Sequence, residues 1–134
     1  MHSGTVIEDI DQSHLKANQA LQNKEFASYM NIFSDDLTYK QMSGKSINKG
    51  QLSNDTHKYF ARIISYSNNY ERIHFSMEND FFIEKLVQKA TVTIRVFLFF
   101  SKKFKVEREG IYKWKKVDNV WKIAEVEIVN EKII

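Results

Sequence analysis

His14 is the residue in this chain best suited to acid–base chemistry. It interrupts a run of apolar residues, Ile7, Ile10, Ala17 and Leu21, that recur at alternating spacings of 3 and 4 and so share one helix face. Imidazole is the side chain that ordinarily gains and loses a proton near neutral pH, so an inward-facing His14 can serve as a general acid or base. It can equally be a core histidine satisfied by a hydroxyl or carbonyl, and no carboxylate is visibly forced toward it. Other chemistries find less support. His2, His14, His57 and His74 show no metal-ligand spacing, and the chain has no cysteine, so neither a metal nor a thiolate is expected. Gly44-Lys45-Ser46 mimics the end of a phosphate-binding loop, but Tyr39 stands where the motif needs its first glycine. No Gly-x-Ser-x-Gly elbow occurs. Asp35-Asp36 reads as helix-end and turn chemistry. From Lys102 to Lys116, seven basic residues meet only Glu107 and Glu109. That span could face an anionic surface, or it could be a solvated hairpin with lysines guarding its edges. No aromatic–basic RNA-binding motif accompanies it, which argues against nucleic acid as a partner.

The chain that must position these groups has 134 residues, 43% of them apolar, and a net charge of +3. This is the size of one domain, 1–134, with a single core. The longest apolar run, Val96 to Phe100, has five residues, where a span needs about 20, so no membrane partner is expected. Met1-His2-Ser3-Gly4 carries no leader pattern, and a cytoplasmic location is expected.

The first half reads as helix. Thr5 and Glu8 have capping-box spacing ahead of the His14 stripe. Phe26, Tyr29, Met30 and Phe33 form a second, shorter stripe ending at 34–36, and 37–42 is a short strand. Asn48 and Gln51 can cap a third helix with an inner stripe of Leu52, Thr56, Tyr59, Phe60, Ile63 and Ile64. From about Tyr70 the period drops to two and β-branched and aromatic residues dominate. Strands are expected around 73–77, 90–100, 104–114 and 121–128, with a turn at Asp118-Asn119. The last apolar series slips parity between Ile123 and Val126, which predicts a β-bulge near Ala124-Glu125. Helices first and an antiparallel meander after them make an α+β domain. Phe97 and Phe99 point opposite to Val96, Leu98 and Phe100 if the strand runs through 100. An outer sheet face with two exposed rings predicts a homodimer through that face; a C-terminal segment folded over it is the other solution.

The order of elements, the segment 31–39, the Gly44…Gly50 pair and the closing Asp118-Asn119-Val120-Trp121-Lys122-Ile123 resemble the nuclear transport factor 2-like superfamily. The resemblance covers about 6–130 and takes in the ketosteroid-isomerase-like and polyketide-cyclase-like (SnoaL-like) branch. It implies a cystatin-like, cone-shaped half-barrel: three N-terminal helices packed on a curved, mainly antiparallel sheet around a pocket, with dimers common through the convex face. The ketosteroid isomerase residues do not carry over. Its base falls on Gln41, whose amide cannot replace a carboxylate. Its helical tyrosine falls on Ala17, and its sheet aspartate falls on or beside Gly110.

If Gln41 and Gly110 face inward by that alignment, strand parity brings Tyr39, Arg108, Tyr112 and Trp114 inward, joined by His14, Tyr29 and Tyr59 from the helices. The expected function is binding of a planar or anionic small molecule without a cofactor. Metal-free isomerase or lyase chemistry would use His14, with Tyr39 or Arg108 stabilising negative charge. Tyr39, Gln41, Tyr59, Arg108, Tyr112 and Trp114 are the expected ligand contacts. Arg108 must meet a ligand anion or an internal carboxylate, for which Glu84 and Glu125 are candidates. The alternative function is a protein-interaction or assembly module using Phe97 and Phe99.

Overall fold

A computed structural model describes residues 3–134; of the histidines discussed above, His2 lies outside them. Three helices come first: α1 (Ser3–Gln22), α2 (Phe26–Met30) and, after two short strands, α3 (Lys49–Arg62). The strands are β1 (Phe33–Lys40), β2 (Ser46–Ile47), β3 (Ile63–Glu78), β4 (Phe81–Phe97), β5 (Phe100–Val117) and β6 (Val120–Ile133). They form one curved, unclosed sheet in the order β2-β1-β6-β5-β4-β3, antiparallel except where β1 lies parallel to β6. The architecture is the expected α+β cone, with helices on the concave face.

Local chemistry accounts for several boundaries. α3 starts at a reciprocal capping box: Gln51 N–H donates to Asn48 Oδ1 and Asn48 N–H donates to Gln51 Oε1, each at 2.9 Å. The turns joining β3 to β4 and β5 to β6 hold Asn79-Asp80 and Asp118-Asn119, all four with positive φ between 50° and 68°. Asn and Asp tolerate that conformation best among residues with a side chain, and paired positive φ values give a tight hairpin turn that matches strand twist. β6 bulges at Ala124, because Lys113 faces Glu125 while Trp114 faces Ile123. That is the parity slip read from the sequence. A second bulge follows at Val129.

Other expectations are corrected. Helix α1 begins at Ser3, so Thr5 lies inside it rather than at its cap. β1 begins at Phe33, which takes Phe33 out of the second helical stripe and puts Asp35 and Asp36 on a strand. There they pair with Lys49 and Lys115 respectively. β3 starts at Ile63, directly after α3, so Ile63 and Ile64 belong to the sheet. β4 ends at Phe97 and the chain turns over Leu98 and Phe99, placing both predicted dimer rings at a hairpin tip. The outer face of the sheet instead carries cross-strand pairs, Lys85–Glu109 at 3.1 Å and Lys113–Glu125 at 3.3 Å among them.

The inner face builds the core. Phe82, Leu86 and Trp114 are fully buried and pack with Val6 and Ile10 of α1. Removing such side chains from water is the main force holding helix to sheet.

Candidate functional site

Beside this core the fold is hollow. A cavity of about 380 Å³ lies between the concave sheet and the helices, within the size range of small-molecule sites. His14, Tyr39, Tyr59, Arg108 and Tyr112 all line it. Two expected contacts do not. Gln41 falls beyond the end of β1, where its N–H donates to the Lys45 carbonyl at 2.9 Å. Trp114 is fully buried beneath the floor, its indole N–H donating to Glu84 Oε2 at 2.7 Å.

Glu84, read from the sequence only as a candidate partner for Arg108, is instead the partner of His14. Its side chain is wholly enclosed, yet it shares one oxygen with His14 Nε2 at 2.7 Å and accepts Arg72 Nε on the other at 2.9 Å. Arg72 continues to Asp11, which also accepts the Tyr70 hydroxyl, both at 2.7 Å. The His14 ring lies 4.5 Å from that of Tyr70 and meets Trp114 edge-on. A buried charge must be paired, and here Arg72 stands between two carboxylates. An ionised carboxylate only accepts hydrogen bonds, so a neutral His14 carries its proton on Nε2. Nδ1, which has no partner among the described residues, is then the basic nitrogen. Taking up a proton there brings Asp11, Arg72, Glu84 and His14 together to zero net charge. A signal for Glu84 was present: it shares strand parity with Phe82 and Leu86, a charge on an apolar face.

Arg108 pairs internally, with Glu131 rather than with Glu84 or Glu125. Without the two bulges in β6 it would face Val129; each bulge moves the partner on by one. The exposed part of its guanidinium borders the cavity, where the carboxylate has already compensated the charge. The cavity therefore presents little net positive charge to an anion. Its character is phenolic. Tyr29, Tyr39, Tyr59 and Tyr66 surround Arg108, and the Tyr112 hydroxyl donates to Gln88 Oε1 at 3.0 Å. Burial pushes all five phenols above their ordinary range, partly countered by the Arg108 charge. They remain neutral donors at physiological pH. Asn68 donates to Asn18 Oδ1 at 3.2 Å, but its own Oδ1 is buried without a partner.

Burial raises the Asp11 carboxyl, but the Arg72 and Tyr70 bonds outweigh it and the net shift is downward. The Lys115 and Ser34 bonds lower Asp36. A depressed folded pKa contributes stability that is present above the unfolded carboxylate range and lost as pH falls through the folded value. Stability should thus decline below about pH 4, and Asp11→Asn should flatten the acid limb of a plot of urea midpoint against pH. No cluster of His, Asp and Glu among the described residues could hold a metal ion. No described helix is long and apolar enough to cross a membrane.

No protein-family model matches the sequence, and no curated protein matches it. Solved structures do match the fold. A candidate scytalone dehydratase from Novosphingobium aromaticivorans superposes with a TM-score of 0.81 at 11% identity, over 97% of this chain and 88% of that one. A nuclear transport factor 2-like superfamily protein from Salmonella enterica gives 0.76 at 10% identity, covering 95% and 92% of the two chains. The hexachlorocyclohexane dehydrochlorinase from Novosphingobium barchaimii gives 0.71 at 9%, covering 97% and 90%. The chain has the nuclear transport factor 2-like fold that its sequence resembles.

Proposed function

We propose that this chain binds a small, planar, oxygen-bearing organic molecule in its cavity and moves a proton on it without a metal. The observation that carries the reading is the His14–Glu84 pair. A fully buried carboxylate 2.7 Å from Nε2 fixes the ring that borders the cavity. Such a partner orients the imidazole and stabilises the cation that forms when it accepts a proton. The dehydratase and dehydrochlorinase names of two fold neighbours describe eliminations, which fits removal of a proton but does not assign a substrate.

In the proposed step Nδ1 of His14 takes a proton from carbon next to a carbonyl. The C–H electron pair moves onto the carbonyl oxygen, where a buried phenol, Tyr39 or a neighbour, donates a hydrogen bond to the forming enolate. Return of the proton to a different carbon completes an isomerisation; departure of a β-substituent completes an elimination. The Arg108–Glu131 pair makes neutral ligands better candidates than anionic ones.

The test uses 2-tetralone, a planar enolisable ketone, and follows exchange of its α-protons in deuterated water by NMR. The wild-type protein should accelerate exchange, and His14→Gln should reduce the acceleration by about 10²–10⁴-fold with the fold and probe binding retained. Binding without accelerated exchange would reduce the reading to a binding module. Exchange unaffected by the substitution would remove His14 from it.

A further inference from the structure

The β4–β5 hairpin outruns its neighbours. Pairing of β3 with β4 stops at Ile63–Ile94, and pairing of β6 with β5 stops at Val106–Ile133. Beyond those pairs the hairpin is a two-stranded arm, which is marginal in water on its own. Val96, Phe97, Leu98, Phe99 and Phe100 form its tip; each is more than half exposed, and Phe99 is 94% exposed. The tip lacks the turn residues used elsewhere in this fold: Leu98 and Phe99 stand where the other two long hairpins have Asn or Asp at positive φ. Arg95, Lys102, Lys103 and Lys105 ring the base of the arm, all exposed and none ion-paired among the described residues. No Asp or Glu occurs between Glu84 and Glu107.

From this pattern we infer that the hairpin arm docks the protein on an anionic phospholipid bilayer, with the apolar tip in the interface and the basic collar against the headgroups. The three residues 95–97 extend about 10 Å beyond the last β3 pair at 3.4 Å per residue, comparable with the ~5–10 Å to which interfacial elements bury their apolar faces. That no described helix is long and apolar enough to cross a membrane does not bear on this, because a surface contact needs no span. A second copy of the chain fits the tip less well: a two-fold contact would bring two basic collars together, and residues 85–106 carry no Asp or Glu to offset them. Phe104 and Ile133 line the cavity at this end of the sheet, and Ile133 is 70% exposed. Docking by the tip would bring the open end of the cavity to the lipid surface.

The test is co-sedimentation of the full chain with vesicles of phosphatidylcholine alone and of phosphatidylcholine mixed with phosphatidylglycerol. Wild-type protein should sediment with the mixed vesicles, less so as salt is raised, and remain in solution with phosphatidylcholine alone. Phe97→Ser/Phe99→Ser should abolish sedimentation. Each collar lysine near an anionic surface is worth about fivefold in partitioning, so Lys102→Glu/Lys103→Glu should lower it at least ~25-fold. All four side chains are solvent-exposed, and an unchanged circular dichroism spectrum certifies the fold. Equal sedimentation with both vesicle types, no sedimentation with either, or variants that bind like wild type would each overturn the proposal. Tip-dependent self-association by sedimentation velocity, without vesicle binding, would overturn it in favour of a second copy as the occupant.

Discussion

Glu84→Ala should lower the stability of this protein by about 3–5 kcal/mol, the usual cost of removing one member of a buried ionic network. The carboxylate contacts three elements at once: His14 on α1, Arg72 on β3 and Trp114 on β5. Truncation leaves the indole N–H and the imidazole without their acceptor in a site closed to bulk water. Arg72 keeps only Asp11. A domain of this size has about 5–15 kcal/mol in total, so the urea midpoint should fall by about a fifth or more. The slope of the transition should stay constant. A loss below about 1 kcal/mol would mean that the site repacks or takes in water, and the network would lose its structural weight. Glu84→Gln separates structure from chemistry. The glutamine keeps the shape and can still accept from Trp114 or Arg72. An amide N–H directed at Nε2 would make that nitrogen the acceptor and shift the His14 proton to Nδ1. Proton-transfer activity should then fall far more than stability does.

The second large effect is alkaline. All six tyrosines, Tyr29, Tyr39, Tyr59, Tyr66, Tyr70 and Tyr112, are held above their ordinary range, chiefly by burial; for Tyr70 the hydrogen bond to Asp11 adds to it. A folded pKa above the unfolded value contributes stability that is complete below the unfolded pKa, near 10, and lost as pH rises through the folded value. Each tyrosine kept neutral costs the fold up to ~1.4 kcal/mol per pH unit in that window. Tyr29 and Tyr112 should approach this limit; those nearer the rim, such as Tyr59, fall short of it because solvent reaches them. Absorbance at the tyrosinate band should therefore rise in one steep step above pH 10, coincident with loss of the circular dichroism signal. Gradual ionisation with the fold intact would show that water reaches the phenols freely.

Much of this fold could be read from its patterning. The His14 stripe and the Asn48–Gln51 cap are local signals, and so is the parity slip at Ala124; local chemistry decides each of them. The missed features depend on distance along the chain. Glu84 lies on a strand whose first residues, 81–89, the alternation starting at Ala90 left out, so its place on the apolar face went unread. Arg108 was assigned the wrong internal partners because finding Glu131 requires counting two bulges in β6, and only one of them disturbs an apolar series. Phe97 and Phe99 were placed on a strand face because five consecutive apolar residues carry no turn chemistry. The reason they turn is tertiary: the long hairpin closes there even though Leu98 and Phe99 are poor turn formers. Tyr59 was placed on the cavity by its helical stripe and Tyr39 and Tyr112 through a resemblance, whereas Gln41, placed by the same resemblance, falls just past the strand that would have carried it inward.

The parallel pairing of β1 with β6 also bears on how the chain is made. β1 ends at Lys40, and its neighbour on that side starts at Val120. At a synthesis rate of about 5–20 residues per second, roughly 4–16 s pass between emergence of the two strands. During that interval Phe33 and Leu37 have no sheet to cover them, and β2 offers only two residues of pairing. The β1–β6 joint thus becomes available only with the final strand, and it spans most of the chain, a topology that folds slowly. A ribosome-bound chain stalled before Val120 should display an apolar N-terminal half that holding chaperones recognise, and release of the final strand should end that recognition.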